Sequence, residues 1–198
     1  MAFTDFTLDV VLDKFNLLPD RLELFSKLEP MQPSAWLLET LERFEPMAFT
    51  SEKSRSEFII APILAEARSN AKNIFTIYSG QRLDADSSLG LTGECDFIFA
   101  KSPSVFALRA PIVSVLEAKK QDVEVGLGQC VAQLLAARHF NQKHDTNFPR
   151  LYGCVTTGEI WQFLSLEENK LILDTNRYRL DSLPEILGMF KQILETYI

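Results

Sequence analysis

Three charged side chains stand where charge is costly. Asp96 lies between Cys95 and Phe97 in the run Gly93-Glu94-Cys95-Asp96-Phe97-Ile98-Phe99, and Glu117 and Lys119 end the run Val113-Ser114-Val115-Leu116-Glu117-Ala118-Lys119. Both runs are rich in β-branched and aromatic residues and too short to be independent helices, so they read as strands. Strand side chains alternate between faces, which puts Glu117 and Lys119 on one face. A charge taken out of water must be paired or given to a metal. Two acids and one lysine make an unbalanced ion-pair cluster but a sensible cation site. The competing structural arrangement pairs Asp96 with Lys119 and satisfies Glu117 through Lys120 or a backbone amide.

The elements that must position these groups are legible around them. Residues 51–71 read as a helix with Phe58, Ile59, Ile63 and Leu64 inward. Pro62 should kink it or mark an irregular turn, and Ser54-x-x-Glu57 matches a capping box. Asn73–Tyr78 reads as a first strand ended by Ser79-Gly80, followed by a polar loop over 81–90. The second strand covers about 92–100. After Lys101-Ser102-Pro103-Ser104 the chain returns, and Pro111 opens the third strand. Short connections predict an antiparallel meander. Residues 123–141 form a second helix in which Gln129 and Gln133 lie one turn apart on the same side. Gly126 and Gly128 in it suggest a ragged start or a close approach to the sheet. Residues 151–156 then read as a strand beside the third, joined by a crossover. Further strands at 160–166 and 171–174 extend the sheet, and Ser182-x-x-Glu185 caps a final helix.

Residues 1–50 read as an N-terminal extension packed on a domain spanning 51–198. Residues 6–12 are expected as a short strand, with short helices over 20–28 and 34–44. Trp36, Leu37, Leu41 and Phe44 form an apolar stripe that packs on the domain or, alternatively, builds a homodimer through this region. The extension holds nine acidic and four basic side chains, a net −5 of the total −7. The remainder is close to balanced, so charge weakens a nucleic-acid partner without excluding one.

The chain has 198 residues, enough for one domain with a proper core. The longest apolar run, Phe58 to Ala65, is too short to cross a bilayer, and the N-terminus lacks the pattern of a signal peptide. A cytoplasmic protein with no membrane partner is expected. Cys95, Cys130 and Cys154 are three, widely spaced and in apolar surroundings, as reduced core thiols would be. His139 and His144 lack neighbours at zinc-ligand spacing.

The order helix, three strands, helix, strand, with Asp96 on the second strand and Glu117-x-Lys119 on the third, resembles the PD-(D/E)xK nuclease superfamily over about residues 51–166. The likeness extends to stand-alone members of that superfamily through Ser-Glu-Phe-Ile-Ile-Ala-Pro at 56–62, Gly-Glu-Cys-Asp-Phe at 93–97, Glu-Ala-Lys at 117–119 and Gly-Leu-Gly-Gln-Cys-Val-Ala-Gln at 126–133. Cys95 stands where the name-giving proline would be. The resemblance implies an α/β fold of the restriction-endonuclease-like type. Its αβββαβ core would have a mixed central sheet flanked by helices, with the N-terminal extension and the C-terminal helix outside it. It implies a nuclease hydrolysing phosphodiester bonds, on DNA rather than RNA, with Mg²⁺ or Mn²⁺ held by Asp96, Glu117 and the carbonyl of Ala118. Such an ion uses one or two carboxylates plus waters and phosphate oxygens. Lys119 would orient the attacking water or stabilise developing charge. Glu57 matches an assisting acid on the first helix, and Gln129 or Gln133 would reach the site from the second. An inactive or substrate-restricted binding module on the same fold is the alternative.

Overall fold

The computed structural model describes residues 1–71, 74–102 and 106–198. Its centre is β4 (Ile112–Ala118), buried at every position. A continuous apolar strand of this kind needs cover on both faces. It pairs antiparallel with β3 (Leu91–Ala100), which pairs antiparallel with β2 (Thr76–Asp86). On the other side it pairs parallel with β5 (Arg150–Thr156), and the connection is the long helix α5 (Val123–Lys143). Beyond β5 lie β6 (Ile160–Glu167) and β7 (Lys170–Asp174), both antiparallel steps. The edge is β1 (Leu18–Leu22), parallel to β7, and the two-residue β8 (Tyr178–Arg179) pairs with the start of β6. The sheet order is β1-β7-β6-β5-β4-β3-β2, a mixed sheet flanked by helices.

Each face carries its own core. One gathers Ile98, Val115, Val155 and Leu164 beneath Cys130, Val131, Leu134 and Leu135 of α5. The other gathers Phe99, Leu116, Trp161 and Phe163 beneath Ile60, Ile63 and Leu64 and beneath α6 (Leu183–Glu195). In α6, Leu183, Ile186, Leu187, Phe190, Ile193 and Leu194 recur at helical spacing and are buried. Among the described residues no helix is long and apolar enough to cross a membrane.

The first helix of the domain is continuous but not regular. α3 (Glu52–Arg55), a π-turn over Ser56–Ile60 and α4 (Ala61–Asn70) follow one another with helical backbone. The wide turn is closed by the Ala61 N–H donating to the Ser56 carbonyl. It falls just before Pro62, whose ring would crowd the Phe58 carbonyl in a regular helix, so the irregular turn relieves that clash. The cap is one turn earlier than Ser54-x-x-Glu57: Ser51 Oγ accepts from Ser54 N at 3.1 Å and Ser54 Oγ from Ser51 N at 3.2 Å. The second expected box also fails to form, because Ser182 makes no side-chain cap and Pro184 opens α6 instead.

The N-terminal region departs further from its expected elements. Residues 6–12 are not a strand; α1 (Leu8–Phe15) begins there, with Thr7 Oγ1 accepting from Val10 N at 3.4 Å. Leu8, Val11, Leu12 and Phe15 have helical spacing, which outweighs the β-branched pair Val10-Val11. Residues 20–28 are not a helix, because pairing with β7 draws Leu18–Leu22 into the sheet. The 34–44 segment is α2 (Ala35–Phe44), capped by Ser34, with Leu37 fully buried and Trp36 and Leu38 half exposed. Phe3, Phe6, Val11 and Leu17 join the core under α5, and Phe25 and Leu37 join the opposite one.

β1 is an edge with few free donors. Leu18 N and Leu22 O bond toward β7, so Pro19 and Arg21 turn their backbones outward. Pro19 has no N–H, and the Arg21 N–H is taken by Asp20 Oδ1 at 2.8 Å. Both devices discourage pairing with another strand.

Two glycines carry the close approaches that the sequence suggested. A Cβ on Gly128 would lie 2.3 Å from Thr7 C and 2.4 Å from Phe6 O, so this glycine docks the N-terminal backbone on α5. Backbone cannot step aside as a side chain does. Gly128→Ala is therefore expected to cost about 2 kcal/mol of stability despite alanine's better helix propensity. Limited proteolysis should cut the variant faster before residue 17, and an unchanged cleavage rate would contradict this docking role.

Candidate functional site

The sheet opens where β3 and β4 part, and the charged residues stand in that fork. The β3–β4 ladder runs from Ala100 to Phe97, opposite Leu116. One step further, Asp96 and Glu117 stand opposite each other. There the Ala118 N–H meets no strand carbonyl but donates to Asp96 Oδ2 at 2.7 Å. In an extended strand the N–H and C=O of one residue point to the same side, so the Ala118 carbonyl faces this fork too. Lys119 N points the other way and donates to Thr156 O at 2.8 Å.

The alternation of side chains breaks in both β2 and β3 beside the fork, while their register there stays in step. Cys95 and Ile98, three residues apart, both pack under α5, which regular alternation forbids. Tyr78 and Leu83, five apart, do the same on β2. The irregularity lies at Asp96 and at Gly80 opposite it, between the pairs Ser79↔Phe97 and Gln81↔Cys95. Gly80 has φ +61, a region open to glycine at no steric cost. The strand therefore continues through Ser79-Gly80 to Asp86, where a polar loop was expected from residue 81. Of the expected first strand, Asn73 lies outside the described residues, as do Pro103 and Ser104 of the loop before Pro111.

Glu117 is 2% exposed and fully engaged. Its Oε1 accepts from Lys119 Nζ at 2.5 Å and its Oε2 from Gln133 Nε2 at 2.7 Å. Lys119 Nζ also donates to Gln129 Oε1 at 3.1 Å. Both glutamines thus reach the site with separate tasks, Gln133 on the carboxylate and Gln129 on the ammonium. The lysine pairs with Glu117 and the backbone amide with Asp96, the reverse of the ion-pair arrangement that the sequence also allows. Lys120 takes no part.

Burial and the nearby Asp96 carboxylate push Glu117 up to about 7. Burial also raises Asp96, against the opposing pull of the Ala118 N–H and Lys119. Burial alone would lower the Lys119 ammonium, but Glu117 more than offsets it and the net direction is upward. The cluster holds one more acid than base, and the protein's own groups do not neutralise it. Burial drives the thiols of Cys95 and Cys130 far up, so they are inert packing beside the site.

The residues fit a hard divalent cation. Two carboxylates and a carbonyl share the fork with an uncompensated negative charge, and Gln133 Oε1 is buried without a partner among the described residues. An orphaned buried acceptor asks for a donor, and a water held by an ion is one. Among the described residues no group of three or more His, Cys, Asp and Glu side chains that could hold a metal ion is gathered, so the fork offers two carboxylates and a carbonyl only.

Glu57 stands outside this network, half exposed and 3.8 Å from Lys53 Nζ. The helix acid whose charge acts on Asp96 and Lys119 is Glu52, in the first turn after the Ser51 cap. Its sequence signal was the cap, since Ser51 as N-cap puts Glu52 first in the helix. Gly126 was legible only as a close approach. A Cβ there would lie 2.6 Å from Val155 Cγ1 and 3.0 Å from Lys119 Cγ, so its absence lets the lysine stem pass between helix and sheet. His139 and His144 lie at the other end of α5, away from the fork. Comparisons of the chain with protein-family models, curated proteins and solved structures gave no match.

Proposed function

We propose that this protein is a metal-dependent nuclease of the PD-(D/E)xK type, hydrolysing phosphodiester bonds in DNA. The observation that carries the reading is the fork itself, where Asp96, Glu117, Lys119 and the Ala118 carbonyl converge with one negative charge left over. Asp96, Glu117 and the Ala118 carbonyl would hold Mg²⁺ or Mn²⁺. When bound, the ion would lower the pKa of a water and offset charge on the phosphate. Lys119 supplies a fixed positive charge beside the reacting phosphate, where negative charge grows in the transition state. Gln129 and Glu117 hold that ammonium in place, and Gln133 fixes the Glu117 carboxylate, so little reorganisation is left for the reaction. The restriction-endonuclease-like fold belongs to the same proposal, supported by the order of β2, β3, β4, α5 and β5.

The test is cleavage of supercoiled, linear and single-stranded DNA in Mn²⁺ by wild type and Asp96→Ala. Activity lost by at least about a hundredfold in the variant supports the reading. Equal cleavage by both would assign the signal to a contaminant and sink it. One observation favours a second reading, a non-catalytic module on the same fold. Glu52 and Glu94 act on Asp96 with the sign that repels phosphate. Calorimetric Mn²⁺ binding that disappears in Glu117→Gln, without cleavage of any DNA form, would support this module.

A further inference from the structure

α5 has a second flank. Gly126, Gln129, Cys130 and Gln133 face the fork, whereas Glu124, Leu127 and Val131 turn to the opposite side and wall a cavity of about 630 Å³. The cavity lies along this flank of α5, over β6 and β7. Its floor is Leu164, Leu171 and Leu173 from β6 and β7, and its far wall is Leu12 of α1 with Pro19 of β1. The size suits one small molecule, and the lining is mainly aliphatic with a few polar groups at the rim, the usual make-up of a ligand site.

The walls are held apart from both ends. Thr7 and Leu8 are docked on Gly128 at one side, and β1 is hydrogen-bonded to β7 at the other. The chain between arches across the gap and cannot collapse into it without breaking one anchorage. Four charged residues line the cavity, of which Arg177 and Glu124 form an ion pair and Asp20 and Arg21 are neighbours on β1. Arg177 holds Glu124 at 2.6 Å and Gln162 at 3.1 Å, and Asp20 accepts the Arg21 N–H. The guanidinium of Arg21 has no hydrogen bond or ion pair among the described residues. It is an uncommitted charge over an aliphatic chamber, and its fork of donors matches a carboxylate.

We propose that this cavity binds a small amphipathic carboxylate, its alkyl body on the accessible Leu8, Leu12, Leu127 and Leu173 and its head group on Arg21. The site is separate from the fork and does not depend on the nuclease reading. Its occupant would touch the same helix that positions Glu117 and Lys119.

Isothermal titration with decanoate, decanol and decyltrimethylammonium tests it on the full chain. Decanoate is expected to bind most tightly. Arg21→Glu, on an exposed edge strand where folding is not at stake, should weaken decanoate by about tenfold or more and leave decanol unchanged. Leu173→Trp, at a partly buried position, should fill the chamber and abolish binding of all three while the thermal midpoint confirms a folded chain. No decanoate binding to wild type, or equal affinity for the cationic amphiphile, overturns the proposal. So does decanoate affinity unchanged in folded Leu173→Trp.

Discussion

Glu117→Gln is expected to raise the stability of the metal-free protein above neutral pH and, on the proposed nuclease reading, to abolish cleavage. The carboxyl titrates near 7 in the folded chain against an ordinary 4.5, so between these values the folded state holds a proton that the unfolded state has lost. Stability therefore falls as pH rises through this window and stays reduced above it. The groups that face Glu117 set the direction. Asp96 from β3 opposes its charge, whereas Lys119 from its own strand and Gln133 from α5 favour it; burial outweighs that help. A shift of this size corresponds to about 3 kcal/mol at pH 8. Glutamine keeps the shape and never acquires the charge. In EDTA, the variant should match wild type near pH 4.5 and melt about 6–10 °C higher at pH 8. Added Mg²⁺ should then stabilise wild type and leave the variant unmoved, because a hard cation needs the ionised carboxylate. Parallel melting curves at all pH values would show that Glu117 is not strained by its burial.

That strain is why the site is legible in the sequence. Asp96, Glu117 and Lys119 interrupt apolar strands, and a sequence tolerates such interruptions only where charge is used. The meander, the crossover helix and the strands after it can be read because β4 is mainly apolar up to Leu116 and α6 repeats every three or four residues. The break in alternation at Gly80 and Asp96 cannot be read. It depends on two strands becoming irregular together, and a Ser-Gly pair looks like a turn when its partner is unknown. β1 is hidden for a similar reason: Leu-Pro-Asp-Arg-Leu has no alternation, and only the free edge of β7 makes it a strand. The choice between Glu52 and Glu57 turns on which serine caps the helix and on a π-turn between the two acids. Both are settled by tertiary packing around Pro62 rather than by spacing.

If the proposed nuclease reading holds, Gly126→Ala is expected to lower cleavage by about a hundredfold, with a moderate loss of stability. The added methyl would stand 2.6 Å from Val155 Cγ1 and 3.0 and 3.1 Å from Lys119 Cγ and Cε. Val155 is fully buried in the core beneath α5 and has nowhere to go. The lysine stem is the softer neighbour and yields, but its movement leaves the Val155 contact in place, so helix and sheet must also part. The Lys119 ammonium is held between Glu117 and Gln129 at 2.5 and 3.1 Å, and moving the stem breaks at least one of those contacts. A displacement of about 1 Å in a group proposed to meet the reacting phosphate would cost on the order of a hundredfold. Alanine in place of a helical glycine returns about 1 kcal/mol, which offsets only part of the crowding against Val155, so the thermal midpoint should fall by several degrees. Metal affinity provides the contrast. The methyl's nearest contacts are Val155 and Lys119 rather than the proposed metal ligands, so calorimetric Mn²⁺ binding should fall far less than turnover. A variant that cleaves normally would show that Lys119 reaches the phosphate by another path. A variant that loses metal and turnover together would show that the methyl has moved β4 itself.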